Sequence, residues 1–161
     1  MQRPMRRAAQ MLPEAETAKI LKTATSGVLA LTGPYAVPMS FVWADGKIYF
    51  HSAAEGHKID AVKSDPRASF CIIAEDGVIP EKYTTAYKSV IAFGKMRFAE
   101  GEEKHLALRL LGQKYHPSGA DEMLEGEISG ALSRVAVLVL DVESVAGKEA
   151  IELTKKRKEK T

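Results

Sequence analysis

The sequence predicts a mainly β fold: a small, mostly antiparallel barrel of six strands with added helices. Three observations carry that prediction. Six runs of β-type residues follow one another, three of them are joined directly by tight turns, and helical periodicity appears at the start, in one short middle segment and between the fifth and sixth runs.

The length of 161 residues suits one domain with a real core. Lys+Arg 23 against Asp+Glu 21 leaves a formal charge of +2, so no global field favours nucleic acid or an anionic membrane, and any anion site must be local. Cys71 is the only cysteine, which removes an internal disulfide and a cysteine-based zinc site. It stands in the apolar run Phe70 to Ile73, where a buried, inert thiol is expected rather than a nucleophile. The opening MQRPMRRAAQMLPEAE is basic without a following apolar stretch, and no window approaches the ~18 apolar residues of a membrane span. A cytoplasmic protein with neither nucleic-acid nor membrane partners is the simplest reading.

Pro13 and Glu14 open a helix in which Thr17, Ile20, Leu21 and Ala24 share one face, and Ser26-Gly27 stops it. Val28 to Leu31 is the first strand. Thr32-Gly33-Pro34 turns the chain into a long second strand, Tyr35 to Trp43. Tyr35, Val37, Met39, Phe41 and Trp43 alternate onto one face, with Ala36, Pro38, Ser40 and Val42 on the other. Pro38 cannot donate to a ladder, which places this strand at a sheet edge or bulge.

Asp45-Gly46 is a two-residue hairpin signal that returns the chain into Lys47 to Ser52, with Ile48 and Phe50 on one face and Tyr49 and His51 on the other. A flexible AAEG leads to a short helix through Ile59 and Val62, ended by Asp65-Pro66. Ala68 to Ala74 is the fourth strand. A polar loop, EDGVIPEKYTT, separates it from the fifth, Tyr87 to Ala99, in which Gly94 marks a bulge or bend.

Glu102 to Tyr115 is an amphipathic helix with an apolar stripe of Ala107, Leu108, Leu111 and Tyr115, and a weaker helical segment covers Asp121 to Leu132. Arg134 to Val142 is apolar on both faces and reads as a buried sixth strand. The basic end of the chain has no interleaved aromatics and reads as a solvated, frayed tail.

Absent motifs prune the chemistry. There is no dinucleotide fingerprint, P-loop, H-E-x-x-H or G-x-S-x-G, and His51, His57, His105 and His116 lack metal-ligand spacing. What remains is the unit from Tyr35 to Arg67. A phosphate needs backbone donors and a cation, which His51, Ser52, Gly56 and Lys58 supply. A flat ring needs an apolar shelf, which Val37 to Ser40 supply. The residues alone leave other readings open: His51 as a surface or hydrogen-bonded histidine, Ser52 as a turn cap, Lys58 as a solvated lysine, Phe41 and Trp43 as core or interface residues.

The order V-P-M-S-F, D-G-K-I-Y-F-H-S-A-x-x-G-x-K-I-D, D-P-R-x-S-F and Y-K-S-V-I-x-F-G-K resembles the pyridoxamine 5′-phosphate oxidase-related FMN-binding split barrels, most of all their 5-nitroimidazole reductase branch. The resemblance covers roughly residues 13 to 150, and the Gly-Lys-Glu at 147–149 is similar to the segment that follows the final strand in that branch.

It implies a six-stranded split barrel that forms a homodimer, with FMN in clefts between the subunits. By the same resemblance Val37, Pro38, Met39 and Ser40 would line the flavin ring, His51 and Ser52 would sit beside the ring and ribityl chain, and Lys58 would pair with the phosphate. Tyr87, Lys88 and Ser89 would approach from the partner chain. His51 would be the catalytic residue, donating a proton or hydrogen bond to a substrate. The implied division is 1–12 as a flexible N-terminus, 13–150 as the FMN-binding domain and 151–161 as the tail.

The implied activity is an FMN-dependent oxidoreductase acting on nitroaromatic or similarly electron-poor small molecules. The alternatives are a carrier or redox sensor that binds FMN without turnover, and a haem-binding barrel using His51, His57 or His116. The arginine-bearing end segment of pyridoxamine phosphate oxidases proper has no counterpart after Val142, which argues against vitamin B6 oxidation.

Overall fold

A computed structural model describes residues 4–159. A first helix, α1 (Glu14–Thr23), precedes β1 (Ser26–Leu31), β2 (Tyr35–Ser40), β3 (Val42–Ala44) and β4 (Lys47–Ala53). Then come α2 (His57–Ser64), β5 (Arg67–Ile79), β6 (Thr84–Ala99), α3 (Gly101–Tyr115), α4 (Asp121–Ala131), β7 (Val135–Glu149) and α5 (Ile151–Lys158).

One seven-stranded sheet has the order β2-β1-β5-β6-β7-β4-β3, and every pairing in it is antiparallel. Its two terminal strands, β2 and β3, are consecutive in the chain and separated only by Phe41. The sheet therefore curls until its ends meet at one residue, yet no ladder joins β2 to β3. This is a split barrel. The six strands expected and the seven observed differ at that break, where Tyr35 to Trp43 divides in two.

The inward alternation survives the break. Tyr35, Val37, Met39, Phe41 and Trp43 all belong to or pack against the main core, while Val42 and Ala44 join a second core under α3. Phe41, Phe50 and Phe70 are fully buried and meet edge to face, with ring centroids 4.8 Å and 5.0 Å apart. Such side chains each stabilise the fold by about 1.5–3 kcal/mol through burial.

Local chemistry fixes the turns. Asp45 and Gly46 have φ of 48° and 74°, the left-handed pair that a two-residue hairpin between β3 and β4 requires. Gly94 sits at a register shift between β6 and β7, and a Cβ there would lie 2.0 Å from the Asp141 carbonyl oxygen, so the expected bulge needs this glycine.

Three expectations are corrected. The polar segment EDGVIPEKYTT is largely strand: Glu75 to Ile79 pairs with Thr84 to Lys88, extending β5 and β6 into a two-stranded arm. Its hydrogen bonds run along the hairpin, so it needs no buried face. The flexible N-terminus is docked over residues 8–12, with Gln10 and Leu12 buried and Met11 bridging Lys148, while residues 1–3 lie outside the described part. The frayed tail is α5 over residues 151–158; residues 160 and 161 lie outside the described part.

Candidate functional site

β4 carries the central residues. Ile48 and Phe50 point into the core, so Ser52 also turns inward and is buried, whereas His51 points out and is exposed. The β3–β4 register pairs Val42 with Tyr49 and Trp43 with Ile48. Continuing it across the break brings Ser40 opposite His51. Both residues line a cavity of about 310 Å³ whose remaining wall is the α3–α4 hairpin.

β2 presents Ala36, Pro38 and Ser40 outward on an edge strand. Val37 and Met39 are half-buried and pack against the main core.

Lys58 stands in the first turn of α2. Gly56, with φ of 124°, allows the sharp entry into this helix, and its carbonyl accepts from the Ile59 and Asp60 N–H groups. The N–H groups at the helix start then face outward at the positive end of its dipole. Lys58 Nζ donates to Ser52 Oγ at 3.0 Å, and no ion pair to a carboxylate occupies it among the described residues. This donor set suits a phosphate: an ammonium with no carboxylate partner among the described residues, one hydroxyl and a helix N-terminus.

Tyr87 to Ser89 lie elsewhere. On β6, Val90 and Ala92 face the core, so Ser89 faces out from a wall separated from β2 by β1 and β5. Three steps of about 4.8 Å place outward side chains on diverging walls. Lys88 bridges Glu16 and Glu75, at 3.0 Å each, which raises its pKa. A single chain therefore brings Ser40 to His51 at one cavity and Lys58 to Ser52 on the inward side of β4, and leaves Tyr87, Lys88 and Ser89 apart from both pairs.

The break itself is held from α3. Tyr115 Oη accepts from Phe41 N at 2.9 Å and contacts the Phe41 and Thr25 carbonyl oxygens, to which its proton can be donated. Lys114 Nζ donates to the carbonyls of Ala24 at 2.6 Å and Phe41 at 2.9 Å and lies 4.0 Å from the Phe41 ring centroid. Burial pushes the Lys114 pKa down. The sequence pattern alone does not mark these residues, or Leu108, Leu111, Leu124 and Ile128 around the cavity, as parts of a site. In the sequence Tyr115 is only the end of an apolar stripe; being 42% exposed, it does more than fill the core.

Cys71 is half-buried and its pKa is raised by that burial, in keeping with an inert thiol. Among the described residues no group of His, Cys, Asp and Glu is arranged to hold a metal ion, and no helix is long and apolar enough to cross a membrane.

The family profile described as pyridoxamine 5′-phosphate oxidase matches residues 13–149. The chain belongs to that family. Among solved structures, a suspected 5-nitroimidazole antibiotic resistance protein from Bacteroides thetaiotaomicron is 23% identical, with a TM-score of 0.70 over 85% of this chain and 84% of that one. A conserved hypothetical protein from Mycobacterium tuberculosis gives 21% identity and a TM-score of 0.77 over 90% and 89%. An FAD and haem binding protein from Mycobacterium smegmatis gives 18% and 0.69 over 86% and 71%. At these identities the likeness speaks for the family fold. No curated protein matches the chain.

Proposed function

We propose that this family member binds FMN between two copies of itself and uses it to reduce electron-poor small molecules, nitroaromatics among them. The observation that carries the reading is the meeting of Ser40 and His51 at one cavity, with Ser52, the next residue on β4, held by Lys58. The flavin supplies a hydride when bound. Lys58, Ser52 and the start of α2 hold the phosphate. The outward edge of β2 from Ala36 to Ser40 supports the ring, and exposed His51 holds a proton at an imidazole nitrogen, ready for the reacting substrate.

A second copy completes the site. Tyr87 and Ser89 face away from the group around His51 within one chain, so a role for them at the same flavin requires the partner's β6. The two-stranded arm supports this, because Val78 and Tyr83 on it are 71% and 98% exposed.

The decisive test is a visible spectrum of the purified protein titrated with FMN, combined with light scattering and with turnover of a nitroimidazole under a chemical reductant. Saturable yellow binding to a dimer, with turnover, is expected. No FMN binding overturns the proposal; binding without turnover leaves a flavin carrier or sensor. The family likeness to an FAD and haem binding protein motivates titrating FAD and haem in parallel.

A further inference from the structure

The whole-chain charge of +2 conceals a segregation that the fold completes. Residues 1–12 and 150–161 hold 8 of the 23 Lys and Arg but only 2 of the 21 Asp and Glu, which leaves 15 basic against 19 acidic residues between them. The body is net negative, and the two basic stretches, far apart in sequence, meet in space. Met11 bridges Lys148 and Leu12 N donates to the Gly147 carbonyl at 3.0 Å, which lays the first stretch along the end of β7, where α5 begins. Ile151, the first residue of α5, then lines a cleft of about 470 Å³ together with Arg6, Arg7 and Gln10.

Thr154 is buried and Arg157 is held by Glu149, which fixes the rotation of α5. Ile151, Lys155 and Lys158 follow one another at i, i+4 and i+7, a stripe that leads out of the cleft. Arg6, Arg7, Lys155, Lys156 and Lys158 are all exposed, and none of them makes an ion pair among the described residues. The carboxylates that α5 and its end set beside them are Glu152 and Glu159, so the face stays positive. Exposed Ile151 stands among these cations, and Met11, in the same docked segment, is exposed as well.

Solvated cations around exposed apolar side chains do not suit every polyanion. A nucleic-acid strand gives Ile151 and Met11 nothing to enter, and its bases call for aromatic side chains, of which neither stretch has any. A lipid surface offers a negative headgroup layer with an apolar layer beneath it. The structure assigns this face to peripheral docking on an anionic phospholipid surface, with Arg6, Arg7, Lys155 and Lys158 on the headgroups and Ile151 and Met11 at the acyl boundary. The net-negative body is repelled by the same surface, which orients the molecule with this face toward it. The expectation of no membrane partner follows from the total charge alone, which the convergence of the two stretches overrides locally. The inference is independent of the flavin reading.

Vesicle flotation of the full chain tests it, with phosphatidylcholine vesicles and with vesicles in which about one lipid in three is phosphatidylglycerol. At low salt the anionic vesicles are expected to bind at least about tenfold more tightly than the neutral ones, and about 0.5 M salt to abolish the difference. Arg6→Gln with Arg7→Gln, and separately Lys155→Gln with Lys158→Gln, should each weaken anionic binding by about tenfold with an unchanged unfolding temperature, because both stretches form one face. Ile151→Ser should weaken it several-fold and keep its salt dependence. No binding, equal binding to both kinds of vesicle, or binding untouched by either pair of substitutions overturns the proposal. So does a DNA duplex that binds more tightly than the anionic vesicles at the same salt and is indifferent to Ile151→Ser, since the face would then serve a nucleic acid.

Discussion

Lys58 Nζ donates to Ser52 Oγ across 3.0 Å, tying the first turn of α2 to the inward-facing end of β4. The contact orients an ammonium that has no carboxylate partner among the described residues. If it meets the FMN phosphate, Lys58→Ala weakens FMN by about 1–3 kcal/mol and riboflavin far less. Titration of both ligands checks this; equal losses would place the lysine away from the phosphate.

His51 is exposed and its neighbour Phe50 carries the packing, so His51→Ala should leave the unfolding temperature unchanged. Its expected effect is on turnover, by on the order of a hundredfold, with FMN affinity little altered. Steady-state rates of FMN-loaded wild type and variant separate these. An unchanged kcat would remove the imidazole from proton delivery.

Tyr115→Phe tests the seam of the barrel. The hydroxyl accepts from Phe41 N, a backbone donor at the residue between the β1–β2 and β3–β4 ladders, and its loss leaves that buried N–H unpaired. Destabilisation of about 1–3 kcal/mol is expected in denaturant unfolding. Because Tyr115 also lines the cavity with Ser40, the variant should alter ligand binding there as well.

How much of this was legible depends on what each residue leaves in local pattern. Asp45-Gly46 and Gly94 need special backbone geometry, and the hairpin and bulge were readable from them. The break at Phe41 was not, because inward alternation runs through it undisturbed and only the register of two distant partners, β1 and β4, shows the strand serving both. The α3–α4 wall over His51 was hidden for a related reason. Leu108, Leu111 and Tyr115 form the stripe any core-facing helix would show, and nothing local says that part of it covers a cavity. The motif from His51 to Lys58 was legible as a unit because its members lie close in sequence, whereas the separation of Tyr87 to Ser89 onto another wall is a property of strand order.

Acid should loosen the clasp on the outer face of β4, β6 and β7. Arg97 reaches Glu103 at 2.6 Å and 2.8 Å and Asp141 at 2.6 Å. Hydrogen bonding to Arg97 lowers the Glu103 carboxyl from its ordinary 4.5 to about 2, against the opposing effect of burial. As pH falls the unfolded chain takes up this proton first, so the stabilisation is complete above about pH 4.5 and is lost toward pH 2. The stability difference between wild type and Glu103→Gln should therefore shrink across that window. A difference that stays constant from pH 6 to 2 would show that this carboxylate is not linked to folding.

Glu149 closes β7 and is only 1% exposed, and Arg157, two turns along α5, donates to its Oε1 from Nε at 2.9 Å and Nη2 at 2.7 Å. A carboxylate that deep is tolerated because the guanidinium neutralises it and donates twice to Oε1, so removing one partner costs more than the pair contributes. Arg157→Ala should destabilise the protein by on the order of 3 kcal/mol, whereas Lys155→Ala and Lys156→Ala, exposed on the same helix, should change little. Glu149→Gln in the Arg157→Ala background should recover part of the loss, since it removes the buried charge that the first change leaves unpaired. Denaturant midpoints of the four variants decide the matter: equal, small effects from all three basic substitutions would mean that α5 is held by its backbone and Thr154 contacts alone, and that the ion pair does not anchor it.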